Sequence, residues 1–199
     1  MKLNTVLFTG KNLRQFLQAY TTSCWADQSV SAQWTAFLNA KGRVVTIAYI
    51  KLMDENAAYG VIPLAITPML LAHLKPYLPF ARVAFSQAEH ELACSWSITQ
   101  PTPWLSEQHT DHFTAHDLSL DVLGYLSFKK GCYLGQEIVA RMHARITAHK
   151  HRLVLIASQK LPSDIDLLYQ SNSLSLSVLS RDLFMSLTDC QVWDNIQTA

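Results

Sequence analysis

Residues 1–87 alternate between strand-like and helix-like patterns of apolar residues, and this order limits the folds that the chain can adopt. A short apolar strand pattern covers residues 3–9. From Leu13 to Tyr20, apolar residues then recur at i, i+3, i+4 and i+7, which is typical of an amphipathic helix, and Asn12 precedes it as an N-cap.

Three β-rich runs follow this helix and are separated by turn sequences at residues 40–43 and 54–56. The runs cover residues 33–39, 44–53 and 57–62. A second helix opens at Thr67-Pro68, with proline at the first helical position, and a strand follows at residues 82–85. The order is β-α-β-β-α-β with one extra strand, which predicts an α+β domain of the ferredoxin-like kind.

The second half of the chain carries fewer regular patterns. Residues 118–123 predict one or two helical turns, and residues 134–146 predict an amphipathic helix. From Arg152 onward, short strand patterns alternate with Ser, Asp and Asn. We therefore predict a main domain over residues 1–148 and a small, β-barrel-like C-terminal domain over residues 149–199.

Composition argues against several classes of protein. A formal net charge of +1 argues against a globally basic nucleic-acid-binding protein, and no apolar stretch reaches the roughly 18 residues of a membrane helix. The start of the chain, MKLNTVLFTG, has too short an apolar run for a signal peptide. We therefore expect a cytoplasmic protein without a membrane partner. Charged residues make up 16% of the chain, against about 25% in typical domains, which suggests a homodimer interface.

The four cysteines show no CxxC spacing, so they form no recognisable zinc or iron–sulfur ligand set and are expected to be reduced thiols. Three histidines and two aspartates do lie close together at residues 109–117. Their spacing matches no closed zinc pattern, and we therefore predict no metal site.

Glycine is scarce, with six in the chain, yet Gly124, Gly131 and Gly135 lie close together. Their crowding predicts a constrained turn that leads into a helix, with Cys132 just before or at the helix N-terminus, beside Lys129 and Lys130. A helix terminus contributes about 0.3–1 kcal/mol, less than the roughly 1.4 kcal/mol of one pKa unit. We therefore expect a solvent-accessible, modestly activated thiol, the alternative being a buried inert cysteine.

Residues 127–141 read SFKKGCYLGQEIVAR and closely resemble the K-G-C-[FY]-x-G-Q-E signature of the YgfZ proteins, which are related to the T-protein of glycine cleavage. Leu118-Ser119-Leu120-Asp121 resembles the family's leucine-aspartate stretch before that signature. Residues 10–22 look like its opening helix, and residues 40–43 look like its hairpin.

This resemblance implies a T-protein-like fold, tetrahydrofolate as the ligand, and an accessory role in assembling or repairing iron–sulfur clusters, through which tRNA-modifying enzymes are affected. It implies iron–sulfur proteins as clients, without direct contact to nucleic acid. Cys132 is implied as the reactive thiol, and Lys130, expected to be exposed, as its neighbour at the folate pocket. The other pocket residues that it implies are Tyr133, Gln136, Glu137, Arg141 and Trp96.

The sequence also departs from the family. It is shorter than the usual member between Phe85 and about Glu107, where the second ferredoxin-like unit is expected, so that unit is predicted to be shortened. Asn12, Ser23 and Asn39 stand where family members often carry aspartates. Two alternative functions therefore remain open, an aminomethyltransferase-like one-carbon-transfer enzyme and a degenerate scaffold without a ligand.

Several of these residues also have plainer interpretations. Glu137 and Arg141 are spaced i, i+4 and could form a simple surface ion pair, and Trp96 could fill the core. Residues 138–163 contain five Lys or Arg residues and no acid. This stretch could be a solvated helix end, a contact for RNA phosphates, or an attraction for the glutamyl tail of a folate.

Overall fold

The computed structural model describes residues 2–88, 102–144, 151–157, 165, 167–170, 174–180 and 190–192. Trp96, the proposed aromatic contact, lies outside these residues. The elements of residues 2–88 are, in order, β1 (Leu3–Thr9), α1 (Leu13–Tyr20), β2 (Ala32–Leu38), β3 (Val44–Leu52), β4 (Ala57–Pro63), α2 (Thr67–Leu74), α3 (Leu78–Ala81) and β5 (Ala84–Gln87). The mixed α/β class is the predicted one, and α3 is an additional short helix.

The first five strands form one antiparallel sheet in the order β2-β3-β4-β1-β5. β1 lies inside this sheet, where it pairs with β4 on one side and β5 on the other. The turn at residues 40–43 joins β2 to β3, as the hairpin signal predicts. This pairing brings β1, from the start of the chain, beside β4 and β5, which lie about 50 to 80 residues later in the sequence.

Two elements begin two residues later than predicted, and backbone conformation explains both differences. Arg82 has φ 54°, so the chain turns after α3 and β5 begins two residues later than predicted. Gly135 has φ 81°, so helix α4 covers Gln136–His143 and cannot begin at Leu134. Asn12 does precede α1, but its side chain makes no capping hydrogen bond.

The two faces of the first sheet are covered by two separate clusters of buried apolar residues. β2 shows the division, because Phe37 belongs to the cluster beneath α1 and α2, whereas Ala36 and Leu38 belong to the cluster on the opposite face. Residues 102–135 contribute to this opposite cluster and contain the 3-10 turn Glu107–His109, an isolated β-bridge between Thr114 and Arg43, and otherwise bends, hydrogen-bonded turns and irregular backbone. The helical turns predicted at residues 118–123 are such irregular turns.

The described C-terminal residues form a second antiparallel sheet. Its strands are β6 (His151–Ala157), β7 (Leu167–Gln170), β8 (Leu174–Ser180) and β9 (Cys190–Val192), in the order β7-β8-β6-β9. Leu168 and Leu176 from this sheet belong to the apolar cluster on the face of the first sheet opposite α1 and α2, which we call its open face. No helix in the described part of the chain is long and apolar enough to cross a membrane.

Candidate functional site

The segment that contains Cys132 lies along the end of α1 and the loop that follows it. Ser127 N donates to Thr22 O at 3.0 Å, and Leu134 N donates to Ala19 O at 3.0 Å. Between these two anchors, Cys132 is an exposed free thiol. The prediction that Cys132 is solvent-accessible is therefore confirmed, although the helix begins four residues further along, at Gln136.

A close approach between the β2–β3 turn and the start of α4 explains the conformation of Gly135. This residue has φ 81°, and a Cβ atom there would lie 2.6 Å from Asn39 O and 3.1 Å from Gly42 Cα. Gly42 has φ 70°, and a Cβ atom on it would lie 2.8 Å from Ile138 Cβ. Only glycine fits both positions without displacing its neighbours. The predicted constrained turn is thus found at Gly135.

Lys130 is buried, with 7% of its surface exposed, and this corrects the expectation of an exposed lysine. Its Nζ donates to Thr21 O at 2.6 Å and to Ser23 O at 2.8 Å, and it lies 4.8 Å from the centre of the Tyr133 ring. Burial lowers the pKa of Lys130 to about 8. The side chain therefore fastens the signature segment to the loop after α1 and does not reach toward an open pocket.

The loop after α1 is also held by its own hydroxyl groups. Thr22 Oγ1 donates to Tyr125 O at 2.6 Å, and Ser23 Oγ donates to Trp34 O at 2.6 Å. Both residues are buried, so Ser23, at a position where the resemblance led us to expect an aspartate, holds the loop through hydrogen bonds and does not face a ligand. Asn39, the third such replacement, accepts from the backbone N–H groups of the β2–β3 turn and donates to Asp111 Oδ1 at 2.8 Å.

Cys132 lies at the wall of a groove with a volume of about 840 Å³. The other walls are α1 with the two residues before it, the loop after α1, and the turn after β3. The lining residues besides Cys132 are Lys11, Asn12, Arg14, Gln15, Gln18, Ala19, Trp25, Ala26, Gln28, Val30, Ser31, Leu52, Met53, Asp54 and Glu55. The groove thus offers amides, two cations and two carboxylates around a thiol.

Several lining groups are already engaged by the protein. Arg14 donates to Trp25 O at 3.1 Å and to Asp27 O at 3.0 Å, which ties α1 to the loop. Gln18 Oε1 accepts from Trp25 N at 2.6 Å. Lys11 and Gln15 are exposed, and no hydrogen bond in the described residues engages their side chains, so these two can contact a ligand directly.

The other residues predicted for the site do not line this groove. Tyr133 is buried in the apolar cluster, and its burial raises its pKa to about 12. Arg141 Nη2 lies 2.8 Å from Glu137 Oε1 in an exposed ion pair, as the plainer interpretation expects, and Gln136 is half-buried at the start of α4. Among the predicted residues that the structure describes, only Cys132 lies at the groove wall.

The polar side of α1 is the part of the groove that sequence reasoning missed. The i, i+3, i+4 pattern that predicts the buried face of this helix leaves Lys11, Gln15 and Gln18 on its other side. That face was a weak signal, because any surface helix carries polar residues there. The backbone hydrogen bond from Leu134 N to Ala19 O brings the segment of Cys132 to this helix. The spacing of residues in the sequence does not predict that contact.

No protein-family model matches the chain. Among curated proteins, the tRNA-modifying protein YgfZ of Colwellia psychrerythraea is 42% identical over 62 residues, which cover 31% of this chain and 19% of that protein. The YgfZ protein of Escherichia coli K12 is also 42% identical over 62 residues, with 30% and 19% covered. The chain thus matches about 19% of the length of these relatives.

Among solved structures, the glycine cleavage system aminomethyltransferase T of Bartonella henselae aligns with a TM-score of 0.41 and 12% identity, over 44% of this chain and 24% of that one. The sequence matches are the informative ones, because their identity is high within a short stretch. Over that partial stretch the chain is similar to the YgfZ proteins, which confirms the resemblance that the signature around Cys132 predicts.

Proposed function

We propose that this protein is a YgfZ-like accessory protein that binds tetrahydrofolate in the groove beside Cys132 and supports iron–sulfur cluster assembly or repair, and thereby tRNA modification. One observation carries the proposal. The segment with the YgfZ-type signature places its exposed cysteine at the wall of a groove of about 840 Å³, which is within the usual size range of small-molecule sites.

The lining of the groove supports a folate in particular. A pterin ring carries both hydrogen-bond donors and acceptors, and the amides of Asn12 and Gln15 can pair with either kind. The carboxylates of Asp54 and Glu55 can accept from the amino group and ring N–H of a pterin. Lys11 offers an ammonium group for the carboxylates of the glutamyl tail.

The proposal extends to the fold. The strand order β2-β3-β4-β1-β5 is that of a ferredoxin-like unit with one additional edge strand, β2, which supports a T-protein-like first unit. The irregular turns of residues 102–135 occupy the place in the chain where a second such unit would follow. We infer that this second unit is shortened and that residues 102–135 cover the open sheet face in its stead.

The two carboxylates of the groove also favour a second candidate, an aminomethyltransferase-like enzyme. Such an enzyme needs an acid near the reacting nitrogen of the folate, and Asn12 cannot supply one. Asp54 already accepts a hydrogen bond from Asn56 N at 2.7 Å, whereas Glu55 is exposed. Folate-dependent aminomethyl transfer that Glu55→Gln abolishes while folate is still bound would identify the enzyme, and binding without turnover in the wild type would identify the accessory protein.

Titration of mono- and polyglutamyl tetrahydrofolate into the wild type, Lys11→Ala and Lys75→Ala at two salt concentrations tests the proposal. Lys75 is an exposed lysine that does not line the groove, so it is a matched control. We expect Lys11→Ala to weaken binding by about 2- to 5-fold, in line with an exposed charge pair worth up to about 1 kcal/mol. The loss should be larger for the polyglutamyl ligand and smaller at high salt.

Each other outcome of the titration has a definite meaning. Binding that Lys11→Ala and Lys75→Ala leave equally unchanged would place the folate outside this groove. No binding to the wild type would leave the scaffold without a ligand. We further propose that the Cys132 thiol takes part in the cluster chemistry and not in folate binding. Cys132→Ser should therefore retain folate affinity but lose alkylation at residue 132 and the support of cluster assembly.

A further inference from the structure

We propose that His116, Asp121 and His143 form a binding site for a divalent transition-metal ion. Each residue offers one donor atom, and these three atoms all lie within 4.8 Å of one another. His116 is almost fully buried, and Asp121 and His143 are half-buried. This cluster is separate from the groove, and only His116 belongs to the histidine-rich segment for which the sequence predicts no metal site.

The distances are close to those of an occupied site. Zinc lies about 2.0–2.2 Å from imidazole nitrogen and carboxylate oxygen, so donors around one tetrahedral ion are about 3.3–3.5 Å apart. The donors of the cluster need to approach by no more than about 1.5 Å to reach that geometry. Rotation of the Asp121 carboxyl group and of the His143 ring about their side-chain bonds can provide this approach.

The backbone holds the ligands in place from two independent elements. Thr114 N and Oγ1 donate to Asp117 Oδ2 at 2.8 and 2.7 Å, which fixes the turn that carries His116. Gly124 N donates to Asp121 O at 3.3 Å in the next turn. His143 lies in the last turn of α4, whose first turn is positioned by the contact between Gly135 and the β2–β3 turn.

A buried oxygen of Asp121 indicates that the cluster is suited to a cation. Oδ1 of Asp121 is inaccessible to solvent and has no hydrogen-bond partner among the described residues. A buried carboxylate oxygen is costly unless it is paired, hydrogen-bonded or bound to a metal. Because the other two donors of the cluster are imidazole nitrogens, a metal ion at this position can bind all three side chains at once and pair the Asp121 carboxylate.

The surroundings of the cluster restrict access of water. The Phe128 ring stacks on the His143 ring at 3.8 Å between centroids and lies edge-on to the His116 ring at 6.2 Å. Such an apolar cover strengthens metal–ligand bonds and controls solvent access. The cluster is therefore partly buried, with His116 inside the protein and the Phe128 ring, itself 41% exposed, over its outer side.

The donor set points to a class of metal. Imidazole nitrogens suit zinc, iron, nickel and copper better than magnesium or calcium. Two histidines and one carboxylate are the ligands of open zinc sites and of non-haem Fe(II) sites, in which further positions bind water or another ligand. We assign the site to Zn²⁺ or Fe²⁺ with at least one open position.

Metal titration of the purified protein tests this assignment. Zn²⁺ is added in competition with a chromophoric chelator, and Co²⁺ serves as a visible-absorption probe of the ligand field. The measurements use a Cys132→Ser background, because the exposed thiol could bind either ion by itself. Asp121→Asn and His143→Gln remove one ligand each, and His112→Ala removes an exposed histidine of the same segment that lies outside the cluster.

We expect one ion per chain, and we expect each ligand variant to weaken binding by more than about 100-fold, since even residues behind the ligands commonly contribute 10–100-fold. His112→Ala should bind as the background protein does. Zn²⁺ should raise the melting temperature of the background protein and of His112→Ala but not that of the ligand variants. Absence of binding at micromolar concentrations, or equal affinity in all variants, would overturn the proposal without bearing on the folate groove.

Discussion

Lys130 holds the loop after α1 by donating its ammonium protons to Thr21 O and Ser23 O. Hydrogen bonds from a charged donor contribute about 1.5–3 kcal/mol, but taking an ammonium group out of water opposes this gain. The lowered pKa of about 8 records that opposition. Lys130 thus stabilises the loop through hydrogen bonds, but burying its charged form costs desolvation free energy. This cost is absent when the amine is neutral.

The wild type should become more stable, relative to Lys130→Met, as the pH rises from about 8 to about 10.5. The unfolded chain keeps the ordinary lysine pKa of 10.5, whereas the folded pKa is about 8, so in this window the unfolded state binds more protons. Below it, Lys130 is charged in both states and the full cost of burial is present. The free energy of unfolding, measured by urea titration, should rise by up to about 3 kcal/mol relative to the variant.

The comparison with Lys130→Met removes the contribution of every other group that titrates in this range, and methionine keeps most of the apolar stem. Neutral lysine still has two N–H donors, so both hydrogen bonds to the loop can survive deprotonation. If the free energies of unfolding of the wild type and Lys130→Met changed equally with pH, the ammonium group of Lys130 would not be desolvated in solution. Lys130→Ala should be destabilised at all pH values, because it leaves two carbonyl groups without their donor.

At the scale of elements, the contact between the β2–β3 turn and α4 joins the two parts of the chain that build the candidate sites. Gly42 and Gly135 face each other across this contact, and the distance from a Gly135 Cβ to Gly42 Cα would be 3.1 Å. The helix that follows carries His143, and the segment that precedes it carries Cys132. A shift of this contact would therefore disturb both the groove and the proposed metal site.

Three glycine-to-alanine variants separate backbone strain from packing at this contact. Gly131 has neither a positive φ nor a neighbour within 4 Å of an added methyl group, Gly124 has φ 73° but open space, and Gly135 has both constraints. We expect Gly131→Ala to be nearly neutral and Gly124→Ala to cost about 1–2 kcal/mol. Gly135→Ala should cost about 1–3 kcal/mol more than Gly124→Ala, because its methyl group meets backbone atoms.

Chemical denaturation of the three variants gives these free energies directly. Equal losses for Gly124→Ala and Gly135→Ala would mean that the hairpin and the helix start can move apart at no cost. A loss for Gly131→Ala as large as the others would show that its conformational freedom matters in a way that the folded structure does not explain.

Local patterns predicted the elements of residues 1–87 well, because strand and helix periodicities depend on near neighbours in the sequence. The element boundaries failed at Arg82 and Gly135, where a positive φ redirects the chain, and at Gly135 this φ accompanies a close approach to Asn39 and Gly42. Cys132 was predicted to be accessible from its immediate neighbours. The burial of Lys130 was not predicted. Its partners are the backbone carbonyl groups of Thr21 and Ser23, which every residue type carries, so the sequence does not reveal them.

The candidate sites were harder to predict than the elements. The groove combines residues near positions 11–18, 25–31 and 52–55 with Cys132, and the metal cluster combines His116 and Asp121 with a residue on α4. Neither set has a recurrent spacing, because each is assembled by the packing of separate elements. The signature motif around Cys132 locates one wall of the groove, but it does not identify the residues of the other walls.

Over the molecule as a whole, the two faces of the first sheet are covered to different extents. Residues 102–135 and two leucines of the C-terminal sheet cover one face. On the other face, α2 buries Leu70 and Leu74, whereas α3 has no fully buried residue, and other apolar side chains of this region are exposed. A 3-10 turn, Leu64–Ile66, precedes α2. The exposed side chains from this turn through α3 are Leu64, Met69, Leu71 and Phe80. Phe80 is 88% exposed.

We expect this apolar surface of residues 64–80 to pair with a second copy of the chain, as the low content of charged residues, 16%, already suggests. Sedimentation or light scattering at micromolar concentration should report a dimer. Leu71→Glu and Phe80→Glu should shift it to a monomer, because each would bury an unpaired charge at the interface. Met53 is an exposed apolar residue in the turn after β3, and Met53→Glu should leave the dimer intact.

A wild type that is monomeric at all concentrations would contradict the prediction. A dimer that only Met53→Glu dissociates would place the interface at the groove.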